Sequence, residues 1–311
     1  YEIAKLLAHH QVDYLGVAFT DEGVELRKAG IKIPIIVMNP ENSAFSTMIA
    51  YQLEPEIYNL KELNAFLKIA ENHNLYQYPV HLKLNTGMNR LGFTSSNFDE
   101  LVAVLNHTNL IQISSIFSHL ATSDMPEENA FTLHQINTFN DWATRLKSEL
   151  NRKPILHILN TSGIYNFSEH QLDMVRVGIG LYGVGNNEIE NQQLQNVATL
   201  KTIILQINEI NKGESVGYGR RYVAKTTKKI ATIPIGYADG IRRSYGNEKG
   251  YVLVNGVKAP IVGSVCMDML MADVSNCQAT VGDEVIVFGD ELRITEVAKL
   301  WNTIPYEVMT A

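Results

Sequence analysis

Residues 2–38, EIAKLLAHHQVDYLGVAFTDEGVELRKAGIKIPIIVM, decide the fold. EIAKLLAHH reads as a helix, 14–19 as a short strand, 21–29 as a second helix and 34–38 as a second strand. The alternation continues outward, with strand candidates at 56–59, 80–84, 113–117, 155–159 and 174–177. Helical patterns at 61–72, 98–106 and 127–150 lie between them. Strands and helices alternating at this spacing imply parallel strands joined by crossover helices. The sum is seven strands behind a leading helix, and a barrel of this type closes with eight. The chain therefore reads as α/β, a (β/α)8 barrel entered one strand late.

Beyond about residue 185 the pattern changes to β runs at 198–210, 229–234, 251–254, 259–265, 269–274 and 284–289, with one late helical pattern at 295–302. Asn255-Gly256 sits between two runs, and a two-residue type I′ hairpin needs positive φ at both positions. These runs predict a mostly antiparallel C-terminal β domain. The expected domains are 1–190 and 191–311, parted in the polar stretch 186–196.

A net charge of −7 argues against an obligate nucleic-acid binder. Two cysteines, Cys266 and Cys277, imply no disulfide framework and fit a reducing cytoplasm. No apolar run reaches the length of a membrane span. No Cys-x-x-Cys, His-Glu-x-x-His or phosphate-loop motif is present, so neither a metal nor a nicotinamide cofactor is expected.

The strand ends carry the functional residues. Lys83 and Arg90 lie seven apart around Gly87, which suits a carboxylate site, although two solvated cations have the same spacing. A lysine inside a barrel must be paired, deprotonated or modified. His119 ends another strand, as a structural or a catalytic histidine does. Thr161 ends a third, and Arg176 precedes Gly178-Ile179-Gly180, where backbone N–H groups can meet phosphate. In the β domain Tyr218 and Tyr237 stand among glycines, which packing explains poorly because glycine fills no core. Cys266, in an apolar run with no base nearby in sequence, reads as a buried thiol.

The segments HLKLNTGMNRLGF, IFSHLATSD, HILNTSG, DMVRVGIGLYGV, SVGYGR, ATIPIGYADGIRR, APIVGSVCMDM and TIPYEVMT together resemble bacterial alanine racemases, in family order over nearly the whole chain. Three of them are closest in flavour to Bacteroidetes racemase domains, some of which are fused behind a D-alanyl-D-alanine-adding ligase. The resemblance implies pyridoxal 5'-phosphate, L- and D-alanine as substrates, D-alanine supply for peptidoglycan, and a cytoplasmic homodimer. It places the Schiff-base lysine a few residues before Tyr1, in agreement with the strand count, and implies a chain clipped at both ends.

Position by position, the resemblance makes Tyr218 the second base, reaching in from the other subunit with Met267, whose backbone N–H takes the substrate carboxylate. Arg90 orients that carboxylate, and Lys83 is carbamylated to pair with Arg90. Arg176 meets the pyridine nitrogen with His119 behind it. Thr161, Gly178, Ile179 and Tyr306 hold the phosphate, and Tyr237 lines the entrance. Thr161 stands where the family usually has serine, and Gly217 replaces a common serine before Tyr218. Two other readings compete: a pyridoxal-phosphate decarboxylase, and a non-catalytic cofactor-binding or regulatory relative.

Overall fold

A computed structural model describes residues 1–185 and 187–311. They form two compact units, Tyr1–Val177 and Gly178–Ala311. The sequence put the boundary at 186–196, of which residue 186 lies outside the described residues. Ile179 and Val184, just ahead of that stretch, are buried in the core of the second unit.

The first unit runs α1 (Glu2–His9), β1 (Leu15–Val17), α2 (Thr20–Lys28), β2 (Ile35–Val37), α3 (Phe45–Ala50), β3 (Glu54–Ile57), α4 (Leu60–Asn72), β4 (Tyr78–Lys83), α5 (Phe98–Asn106), β5 (Ile111–Phe117), α6 (Asn129–Leu150), β6 (Ile155–His157) and α7 (Thr161–Asn166). Its six strands form one sheet in sequential order, every neighbouring pair parallel, as in the wall of a (β/α) barrel.

Helix α4 shows how sequence sets an element. Asn59 accepts the Glu62 N–H at 2.8 Å and caps the N-terminus. Leu63, Phe66 and Ala70 follow at helical spacing and are fully buried. Burial of a leucine or phenylalanine side chain stabilises by about 1.5–3 kcal/mol, so this stripe rather than propensity holds the helix to the sheet.

The strand expected at 174–177 is absent from the sheet. The segment runs beside β6, with Asp173 and Met174 N–H donating to Leu156 O and Arg176 N–H to Leu159 O. Side chains take the groups a reciprocal ladder would use: the Asp173 carboxylate accepts Leu156 N–H at 2.8 Å, and the Arg176 guanidinium donates to Ile158 O at 3.1 Å.

The second unit runs α8 (Glu188–Gln192), β7 (Leu200–Ile203), β8 (Gln206–Ile210), β9 (Ser215–Val216), β10 (Tyr222–Val223), β11 (Lys228–Ile233), β12 (Tyr251–Val254), β13 (Val257–Pro260), β14 (Leu270–Asp273), β15 (Glu284–Phe288), α9 (Ile294–Trp301) and α10 (Pro305–Thr310). The sheets β13-β12-β15-β7, β14-β11-β8 and β10-β9 are all antiparallel. Asn255 and Gly256 turn the β12–β13 hairpin with φ of 52° and 75°. Among the described residues no helix is long and apolar enough to cross a membrane.

Candidate active site

Alternate residues of a strand share a face. The register sets Glu56 beside His81, His81 beside Ser115, Lys83 beside Phe117, and Phe117 beside His157. Glu56, His81, Lys83, Ser115 and His157 are all buried. Buried polar groups must find partners, and these find one another.

Lys83 Nζ donates to Glu56 Oε1 at 2.9 Å. Pairing is thus how the structure accommodates this inward lysine. The second carboxylate oxygen, Glu56 Oε2, is buried with no hydrogen-bond partner among the described residues. Burial pushes the Glu56 carboxyl up to about 6, against the pull of Lys83 and then of Arg176 and Arg90. The carboxylate is therefore mostly ionised near neutrality.

Arg176 is held on several sides. One guanidinium nitrogen donates to His157 Nδ1 at 2.6 Å. The other donates to Ser118 O at 2.6 Å, Ile158 O at 3.1 Å and His119 Nδ1 at 3.2 Å. The Phe117 ring lies 5.3 Å from Arg176 and 5.6 Å from Lys83, and His157 stacks on it at 4.8 Å. Burial lowers Arg176 to about 10, which leaves it charged at neutral pH. Burial, followed by Arg176, Arg90 and Lys83, pushes His119 down to about 3, so its imidazole stays neutral.

Arg90 sits on the turn after β4. The Asn85 side chain accepts Gly87 N–H at 3.3 Å and Asn89 N–H at 2.9 Å, folding that turn on itself. Gly92, at φ +131°, closes it: a Cβ there would lie 2.5 Å from Asn85 N. Arg90 is exposed, yet its charge is felt at Glu56 and His119. Thr161 is buried at the first residue of α7, where Asn160 accepts Gly163 N–H at 2.9 Å.

Lys83, Arg90, His119 and Arg176 thus form one electrostatic group around Glu56. Sequence reasoning had singled out the first four. It missed Glu56, and it gave no role to His81, Ser115 or His157. A glutamate inside a strand otherwise read as buried was the available signal.

In the second unit, Gly178 and Ile179 open a single turn of 3-10 helix, Ile179–Tyr182, with Ile179 buried. Tyr218 is 77% exposed and, with Gly217, Asn208, Ser215, Cys266 and Met271, lines a cleft of about 510 Å³. Tyr237, Met267 and Tyr306 are also exposed. Cys266 is half-buried rather than buried, with Sγ 3.6 Å from Ser264 O.

The residues fit an anionic aromatic cofactor such as pyridoxal phosphate. Three cations, Lys83, Arg90 and Arg176, act on the carboxylate of Glu56. At the head of the second unit, a Cβ at Gly178 would meet no atom within 4 Å. Among the described residues no group of three or more His, Cys, Asp or Glu is placed to hold a metal ion.

The profile of the alanine racemase N-terminal domain matches residues 1–186, and that of the alanine racemase C-terminal domain matches 197–311. Alanine racemase 1 of Oceanobacillus iheyensis is 36% identical over 318 residues, covering 99% of this chain and 84% of its own length. The alanine racemase of Thermodesulfovibrio yellowstonii is 36% identical over 315 residues, covering 100% of this chain and 83% of its own. Among solved structures, alanine racemase from Clostridium difficile 630 superposes with a TM-score of 0.91 at 34% identity, covering 99% of this chain and 81% of that one. Alanine racemase from Bartonella henselae with covalently bound pyridoxal phosphate gives 0.88 at 27% identity, covering 99% and 85%.

Proposed function

Because this chain belongs to the alanine racemase family, we propose that it interconverts L- and D-alanine with pyridoxal phosphate, as a homodimer with shared sites. The observation that carries this reading is the half-buried Arg176, its guanidinium fixed by His157, His119 and two backbone carbonyls in a group whose other cations are Lys83 and Arg90. When bound, the cofactor withdraws electrons from the amino acid joined to it and so acidifies the Cα–H.

The chain's own residues do the rest. Arg176 meets the ring nitrogen as a donor that gives up no proton. His119 backs Arg176. Thr161, Gly178, Ile179 and Tyr306 hold the phosphate. Arg90 and the Met267 N–H orient the alanine carboxylate, and Tyr237 lines the way in. Tyr218 moves a proton at Cα on one face, opposite a lysine that the family motif places before Tyr1. Tyr218 and Met267 act from the partner subunit, which their exposure in a single chain supports. The reading carries with it D-alanine supply for peptidoglycan in the cytoplasm.

The test is chiral analysis of L-alanine incubated with the full-length protein and pyridoxal phosphate, with carbon dioxide trapped in parallel. D-alanine without carbon dioxide supports racemisation, and carbon dioxide release would replace it with decarboxylation.

A further inference from the structure

Resting on the racemase reading, we propose that Gln135, on helix α6, is a positioning residue of this site: its side-chain amide holds the segment after β5 so that Ser118 and His119 keep Arg176 aimed. Strand β5 ends at Phe117, and Ser118 N–H still pairs with His157 O at 3.3 Å. The next three residues, His119, Leu120 and Ala121, make no backbone-to-backbone hydrogen bond among the described residues. Gln135 stands in for the missing ladder. Its Oε1 accepts Ala121 N–H at 2.9 Å, and its Nε2 donates to His119 O at 3.2 Å. One donor and one acceptor, meeting the groups on either side of Leu120, supply what a residue of a parallel neighbour strand would. Leu120 is itself buried, so packing anchors the same point.

Gln135 is fully buried, where glutamine is uncommon. A methionine would fill the volume without needing partners, so the amide is there for the segment it bonds. The consequence lies at Arg176, whose Nη2 donates both to Ser118 O at 2.6 Å and to His119 Nδ1 at 3.2 Å. Both acceptors ride on the segment that Gln135 holds, and a turn of the His119 backbone would carry ring and carbonyl off the guanidinium. From the β4 side, Ser118 Oγ donates to Leu84 O at 2.7 Å, which ties down the near end. The turn carrying Arg90 rests only on the stem of Gln135: a Cβ at Gly87 would lie 3.4 Å from its Cγ.

The experiment compares Gln135→Met, which keeps the stem and removes both bonds, with Thr132→Val. Thr132 lies one turn earlier on α6, is equally buried, and bonds Thr122 Oγ1 at 2.9 Å, past the held segment. In the loaded full-length protein, Gln135→Met is expected to lower kcat by about tenfold or more. KM for alanine should stay within about threefold, because Arg90 orients the carboxylate from another turn. Thr132→Val should lose a comparable amount of Tm yet keep kcat within about twofold. In the cofactor-free protein, amide hydrogen exchange over 118–122 should quicken about tenfold in Gln135→Met. A Gln135→Met kcat within about twofold of wild type would overturn the proposal, as would a kcat loss matched by Thr132→Val, or unchanged exchange. Gln135→Asn, one methylene too short to meet both groups, gives the same readings should Gln135→Met fail to fold. The exchange reading needs no turnover. A protein that fails to racemise alanine sinks the function, while exchange still decides whether Gln135 holds the segment.

Discussion

Arg176 Nη1 donates to His157 Nδ1 across 2.6 Å, and this bond fixes the direction of a chain of hydrogen bonds through the first unit. An arginine only donates, so His157 Nδ1 accepts and the ring proton sits on Nε2, 3.0 Å from Ser115 Oγ. Ser115 then turns its own hydrogen to His81 Nδ1 at 2.7 Å, and His81 Nε2–H ends the run on Glu54 at 2.8 Å. Burial, reinforced by Arg176 and His81, holds His157 well below the ordinary imidazole range and keeps it a one-proton relay. The guanidinium is thus locked from behind by a line of groups on β3, β4, β5 and β6.

Ser115→Ala breaks that line at its middle. Two buried imidazole nitrogens lose their partner, and an unsatisfied buried polar group costs about 1–3 kcal/mol. Denaturant titration is expected to show a loss of that size. A midpoint equal to that of wild type would mean the chain of bonds contributes nothing to stability.

Arg176→Lys keeps the positive charge but not the fork. One ammonium cannot meet His157, His119 and the carbonyls of Ser118 and Ile158 together. Racemase kcat/KM is expected to fall at least tenfold, about 1.4 kcal/mol of lost transition-state stabilisation. A full rate in the lysine variant would show that charge alone suffices.

Glu62 gives the stability a pH dependence. Burial pushes its carboxyl up to about 8, with Oε1 buried and without a partner among the described residues. The folded protein then holds this proton more tightly than the unfolded chain, whose carboxyl titrates near 4.5. Folding is progressively disfavoured as pH rises through that window, and the loss is complete above about 8. Glu62→Gln removes the titration. Its unfolding midpoint relative to wild type is expected to climb between pH 4.5 and 8, and a constant difference would contradict the assignment.

The shared-site proposal predicts complementation. Arg176→Ala and Tyr218→Phe should each be nearly inactive alone. Random pairing after mixing and refolding gives about half heterodimers, each with one intact site, so about a quarter of wild-type activity should return. Activity no greater than the average of the two variants would place Tyr218 in its own subunit's site.

Much of the site was legible because the sequence puts chemistry where strands end. Lys83 and His119 stand at such ends, and the family motifs attached roles to them and to Arg176. Glu56 was not legible because its partner is 27 residues away, and pairing depends on register across β3 and β4. The relay through His81, Ser115 and His157 spans three strands for the same reason. The strand expected at 174–177 has suitable residues, but the side chains of Asp173 and Arg176 take the backbone partners of β6. The pair β9 and β10 went unread since two-residue strands around Gly217 and Gly219, at φ 71° and 70°, leave no alternating pattern.

The most direct test of the central claim is racemisation of L-alanine by the full-length, pyridoxal phosphate-loaded protein in deuterium oxide, followed by chiral separation and mass analysis at early times. If Tyr218 and a lysine work on opposite faces of Cα, the proton returned comes from a different group than the one that removed it. The D-alanine formed should carry deuterium at Cα, and Tyr218→Phe should abolish its formation. D-alanine that keeps its original proton, or no D-alanine at all, would contradict the account.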